Sequence, residues 1–129
     1  MDNNNLIRCR LAACREALDD GKQWSFYLIN DGDASLDSVI LDEISYEWGD
    51  FGSSEKADAR VADLAPGSHA LIWRDDGSGA EFRMDFSMLV QSRGRQARLR
   101  FEFPKLYRQN KLPPVEGLNK SGWQEIDEG

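Results

Sequence analysis

The run Phe82-Arg83-Met84-Asp85-Phe86-Ser87-Met88-Leu89-Val90 places a large apolar side chain at every second position. Only an extended strand sorts such a pattern onto one face, because successive strand side chains point to opposite sides. A helix would scatter the same residues around its circumference. A second alternation follows, with Ala97, Leu99, Phe101 and Phe103 set against Arg98, Arg100 and Glu102. Between them Ser92-Arg93-Gly94-Arg95 supplies a glycine for a tight turn, so the two runs predict an antiparallel hairpin. Two strands with one apolar face are not stable alone in water. The rest of the chain must supply a second layer.

Further strand patterns provide it. Trp24, Phe26 and Leu28 alternate with Ser25, Tyr27 and Ile29, a strand apolar on both faces and therefore central. Leu71 and Trp73 alternate with Ala70, Ile72 and Arg74 before a turn at Asp75-Asp76-Gly77. Val39 and Leu41, then Ile44, Tyr46 and Trp48, also alternate, but the phase slips, which predicts a bulge near Asp42-Glu43. A shorter run from Ala57 to Val61 precedes Leu64-Ala65-Pro66-Gly67, a Pro-Gly turn. Near the start, Ile7, Cys9, Leu11 and Ala13 alternate with Arg8, Arg10 and Ala12. Leu11 to Leu18 is also rich in helix formers, and Gly21 could close a helix. The strand reading is preferred because it puts the arginines on one side. Together these runs predict an all-β, antiparallel sandwich within one domain of 129 residues. Its core candidates are Phe26, Leu28, Leu41, Leu71, Trp73, Phe82, Met84, Phe86, Leu99 and Phe101.

Three turn motifs occur in order: Asn30-Asp31-Gly32, then Val39-Ile40-Leu41, then Leu64-Ala65-Pro66-Gly67. This "N-x-G … V-x-L … L-x-P-G" series resembles bacterial immunoglobulin-like sandwich domains, such as the cell-adhesion-related domain found in bacteria. Asn and Gly tolerate positive φ at tight turns, and Pro-Gly sets a turn ahead of a strand. The resemblance implies an immunoglobulin-like sandwich of about seven strands over residues 1–103, and binding or scaffolding by analogy. Residues 104–129 then form an extended C-terminal tail. Such domains are commonly secreted and tandem, whereas the start MDNNNLIRCR has no long apolar stretch behind a basic flank. No apolar run approaches the length of a membrane span, and two cysteines are too few for a disulfide scaffold. A cytoplasmic protein is expected.

The net charge is −7 and the isoelectric point about 4.7, which argues against recruitment of nucleic acid or anionic lipid by the whole surface. The charges are segregated. Residues 31–81 hold 13 acids and 3 bases, and residues 83–111 carry a net +6. Each block is either the solvated face of its own strands or part of a dipolar surface that meets an acidic partner. The tail keeps Leu106, Tyr107, Leu112, Val115, Leu118, Trp123 and Ile126 around Pro113-Pro114, more apolar groups than a merely solvating segment needs. It docks either on its own sandwich or on a partner. Arg93, Arg95, Arg98, Arg100, Tyr107 and Trp123 are the candidate partner-binding residues. Deletion of 112–129 is expected to weaken association more than stability.

Catalytic chemistry finds little support. His69 is the one histidine, and no nucleophile–base pair can be assigned by spacing. Cys9 and Cys14, five apart, face opposite ways on a strand, and zinc lacks further ligands. Gly77-Ser78-Gly79 is followed by no phosphate-loop lysine. Asp31, Asp33 and Asp37 crowd one turn but lack the ordered spacing of a calcium loop, so no metal and no cofactor are expected. Trp48-Gly49-Asp50-Phe51-Gly52 sets two aromatics and two glycines at a strand end and suits a recognition loop. The expected function is a non-enzymatic protein–protein interaction or scaffold module, its partner another protein or a second copy. The alternative is a small-ligand or calcium-binding sandwich, or a hydrolase, that uses the acidic loops: Asp31, Asp33, Asp37, Trp48 and Phe51.

Overall fold

The computed structural model describes residues 7–18, 21–76, 78–109 and 111–127. Gly77, the glycine of the turn expected after Asp75, lies outside them. The described strands are β1 (Cys9–Leu18), β2 (Gly21–Asn30), β3 (Leu36–Trp48), β4 (Phe51–Leu64), β5 (His69–Asp75), β6 (Arg83–Ser92), β7 (Arg95–Phe103), β8 (Pro114–Val115), β9 (Lys120–Ser121) and β10 (Trp123–Ile126). They form an antiparallel sheet of order β10-β1-β2-β5, a second of order β4-β3-β6-β7, and the small pair β8-β9. No described helix is long and apolar enough to cross a membrane.

The two large sheets face each other across one core. Leu11, Phe26 and Leu28 of the first sheet meet Val39, Leu41, Ile44, Met84, Phe86, Met88 and Phe101 of the second, all without solvent exposure. Phe26 is the hinge of that contact, its ring 4.6 Å from Phe86 and edge-on to Phe103 at 5.4 Å. The expected bulge is present: the register of β3 shifts between Leu41 and Glu43 against both neighbours. That extra residue lets Leu41 and Ile44 both face inward. The β6–β7 hairpin closes through Arg93 and Gly94, both at positive φ, as a two-residue turn between right-twisted strands requires.

Two core assignments and one strand boundary need correction. Leu71 is 40% exposed, while its neighbour Ile72 is buried. The register of β2 against β5 skips Ile72, pairing Phe26 with Trp73 but Tyr27 with Leu71. This bulge reverses the phase, so Leu71 lies on the outer face with Tyr27 and Trp73 stays half-buried against the core. Phe82 precedes β6 and is only half-buried, at the end of the core. Finally, β4 runs from Phe51, not Ala57, because its exposed first half carries no apolar alternation to read.

The segment after β7 folds back onto the sandwich. Leu106 is fully buried within a single 3-10 turn, Leu106–Arg108. β10 then pairs with β1, placing Trp123 opposite Ala13. The β8–β9 pair lies over the outer face of the first sheet, where Val115 and Leu118 bury Ala12, Cys14, Tyr27 and Ile29 in a second small core. This explains why β1 and β2 are apolar on both faces, and why the helix formers of β1 adopt a strand paired on both edges. Lys120 ties the flap down with an ion pair to Glu16 at 2.6 Å. Partial burial pushes the Glu16 carboxyl up, but hydrogen bonds from Lys120, Ser25 and Tyr27 outweigh it and hold it at about 2. Cys9 points into the main core and Cys14 beneath the flap, and both are free thiols. Burial raises them to about 12 and about 11, which keeps them protonated and inert.

The Asn30 corner gives the turn motifs a physical basis. Its buried side-chain amide donates to the carbonyls of Ala34 and Leu64, at 2.9 and 3.0 Å, and its Oδ1 accepts from Gly32 N–H. Its backbone exchanges hydrogen bonds with Ser68 and Gly67 of the turn Ala65-Pro66-Gly67-Ser68. One residue thus joins three chain segments. Asn30→Ala should cost about 1–3 kcal/mol, because it strands buried polar groups. Urea unfolding measures the loss; a change under about 0.5 kcal/mol would contradict the corner's role.

Candidate functional site

The β3–β4 hairpin is longer than the strands beside it. β3 and β4 have 13 and 14 residues, whereas β6 has 10, and the last β3–β6 pair is Glu47 with Arg83. The tip therefore projects past the core. A two-residue turn, Gly49-Asp50 with Gly49 at φ +60°, sets Trp48 directly opposite Phe51. Their rings stack at 6.4 Å while 56% and 75% exposed. Phe82 meets Trp48 edge-on at 6.4 Å and Tyr46 at 6.2 Å.

These rings line an open well of about 350 Å³ formed by Tyr46, Trp48, Phe51, Gly52, Ser53 and Phe82. Tyr46, Ser53 and Phe82 also line an adjoining cleft of about 440 Å³ that carries Glu55, Asp75, Asp76 and Ser78, with Arg74 and Trp73 at its side. Tyr46 Oη donates to Glu55 at 2.9 Å, and both burial and that carboxylate raise its phenol, so it remains a donor. Asp76 accepts from Ser78 Oγ and N, which lowers its carboxyl and keeps it charged. Buried Asp75 accepts from the backbone of Gly79 and Ala80 and so holds the loop wall. A Cβ on Gly79 would collide with Asp75 Oδ1 and press on Tyr46, so a larger residue there would displace the carboxylate that holds the loop wall. No histidine or cysteine is among the described residues lining the well or the cleft. The arrangement can bind by ring stacking and by accepting hydrogen bonds.

The residues picked out from sequence scatter. Trp48 and Phe51 meet as described, but Asp31, Asp33 and Asp37 lie toward the opposite end of β3, about 35 Å away along eleven residues of strand. The two acidic loops therefore do not form one site. Asp31 is held bidentately by Arg10, whose remaining nitrogen donates to Gln124. Asp37 accepts from Arg93 N, and Asp33 is exposed. Among the described residues no three His, Cys, Asp or Glu side chains gather as metal ligands.

The basic set divides too. Arg98 grips Asp42 bidentately across Ser87, and Arg100 pairs with Asp85 at 2.8 Å. The segregated charges of the sequence thus interleave on the outer face of the second sheet, because the order β4-β3-β6-β7 lays β3 beside the basic hairpin. Arg93 lies in the exposed turn at one end of that hairpin, and Arg95 follows it as the first residue of β7. Tyr107 follows its other end, with Arg108 over its ring at 5.4 Å. Trp123 is half-buried on β10 and donates to Glu125. Tyr46, Glu55, Asp75, Asp76, Gly79 and Phe82 were not legible as site residues. The available signal was the aromatic clustering at Tyr46, Trp48 and Phe51, and the Asp-Asp pair ahead of a glycine-rich turn. Comparison of the chain with protein-family models and with curated proteins finds no match.

Proposed function

We propose that the chain is a non-enzymatic, immunoglobulin-like interaction module that binds another protein at the end bearing Trp48 and Phe51. Support for the immunoglobulin-like reading is the order of its seven long strands, β1-β2-β5 against β4-β3-β6-β7, with the chain crossing between the sheets after β2, β4 and β5. The observation that carries the binding reading is the exposed, stacked Trp48–Phe51 pair over a cleft. Scattered surface hydrophobes are ordinary, but contiguous aromatics on a projecting tip mark recognition surfaces. A cytoplasmic setting belongs to the same proposal and fits two free, buried thiols.

A photo-crosslinking side chain placed at Phe51, in the cells that make the protein, should give a discrete protein adduct. The same group at Arg95, at the other end of the sandwich, should give none. Trp48→Ala should abolish the adduct while shifting stability by less than about 1 kcal/mol, as expected at an exposed position. Equal adducts at both positions, or none at Phe51, would overturn the proposal.

A further inference from the structure

The aromatic well and the acidic cleft are one continuous surface, and their chemistry is complementary to a cation. The well offers ring faces, which carry the negative side of the aromatic quadrupole. The cleft beside it adds Glu55 and Asp76, with Arg74 the single cation among the described lining residues. An anion would meet repulsion here, and a purely apolar group would leave charged carboxylates facing it. A second feature concerns the shape of the ligand. β4 is the edge of its sheet, and its first half, Phe51 to Lys56, runs along this surface with its side chains exposed. An edge strand presents unpaired backbone donors and acceptors on its outer side, which an extended chain can pair with.

We infer that the site takes an extended basic segment of another protein, which pairs along the β4 edge and sets an arginine or lysine side chain in the Trp48–Phe51–Phe82 well beside Glu55 and Asp76. The inference rests on the binding-module reading above and specifies its partner. It involves no chemical step. The cationic head stacks on the rings, the carboxylates neutralise it, and the β4 backbone fixes the direction of the chain.

The test uses the full chain and a fluorescein-labelled, end-blocked nonapeptide alternating arginine with threonine. Its control is the same peptide with citrulline, which keeps the shape of arginine and removes the charge. Anisotropy at 150 mM salt should show the arginine peptide binding at least tenfold tighter. Amide and indole NMR shifts should map to Trp48, Ser53 and Glu55. Trp48→Ala and Asp76→Asn should each weaken binding severalfold, and Arg95→Ala should not. If the citrulline peptide binds the same residues equally well, the cation assignment fails while the binding-module reading stands. If a neutral oligosaccharide shifts those residues and the arginine peptide does not, the basic-segment inference fails. If neither peptide touches the cleft and no adduct forms at Phe51, both readings fall.

Discussion

Phe86→Ala should cost about 3–5 kcal/mol, the range for emptying a fully buried phenylalanine site. Phe86 is unexposed at the middle of β6, paired with Ile44 and Phe101 on its two sides. Its ring packs against Phe26 at 4.6 Å and Phe103 at 5.7 Å. The truncation therefore removes the contact through which one sheet grips the other. Neighbouring rings cannot all collapse into the space, because β3 and β7 hold the β6 backbone on both sides. For a domain this size the melting temperature should fall by about 10–20 °C. Leu71→Ala makes the matched control. The bulge in β5 leaves Leu71 on the outer face, so its loss should stay near 1 kcal/mol or below. A Phe86 variant that loses less than 1 kcal/mol, or a Leu71 variant that matches it, would refute the assignment of faces.

Deletion of residues 112–129 should prevent stable folding. It removes Val115, Leu118 and Trp123, and strips the cover from Cys14, Tyr27 and Ile29. It also unpairs β1 along Arg10 to Ala13 and breaks the Arg10–Gln124 and Glu16–Lys120 contacts. Each buried aliphatic side chain contributes about 1.5–3 kcal/mol, and the half-buried indole is of similar size. The sum reaches the whole stability of a typical domain, about 5–15 kcal/mol. Loss of the cooperative unfolding transition and of dispersed NMR signals is the expected result. This reverses the sequence expectation that the deletion would act mainly on association. A truncated chain that unfolds cooperatively within 1 kcal/mol of the full one would restore that expectation.

The flap also carries a pH signature. Glu16 is held at about 2, against 4.5 for an ordinary glutamate. A carboxyl lowered in the folded state stabilises fully above the ordinary value, and its contribution disappears as pH falls toward 2. Its partner Lys120 is exposed, so screening keeps the effect small. Protection factors of the amides at 115–121, which divide out the intrinsic pH dependence of exchange, should fall between pH 4.5 and 2, and Glu16→Gln should remove that fall. Protection factors that stay flat in the parent chain would count against the ion pair's role.

The sequence by itself determined the strands and much of what they bury. Period-two alternation reports which side of a strand is apolar, and that signal needs no knowledge of neighbours. Hence Met84, Phe86 and Met88, the bulge after Leu41, and the Arg93-Gly94 turn were legible, and so was the aromatic tip at Trp48 and Phe51. Alternation says nothing about which strands lie side by side or what covers an outer face. Tertiary structure alone decided that the β5 bulge turns Leu71 outward, and that Phe82 leaves the core to line a well. It also decided that Arg98 and Arg100 answer the acids of β3 and β6, and that the tail covers the first sheet. Glu55, Asp75 and Asp76 join the aromatic tip only because three chain segments end together at one end of the sandwich. Charge and periodicity are properties of a chain read in order, whereas a binding surface is a property of which strand ends meet in space.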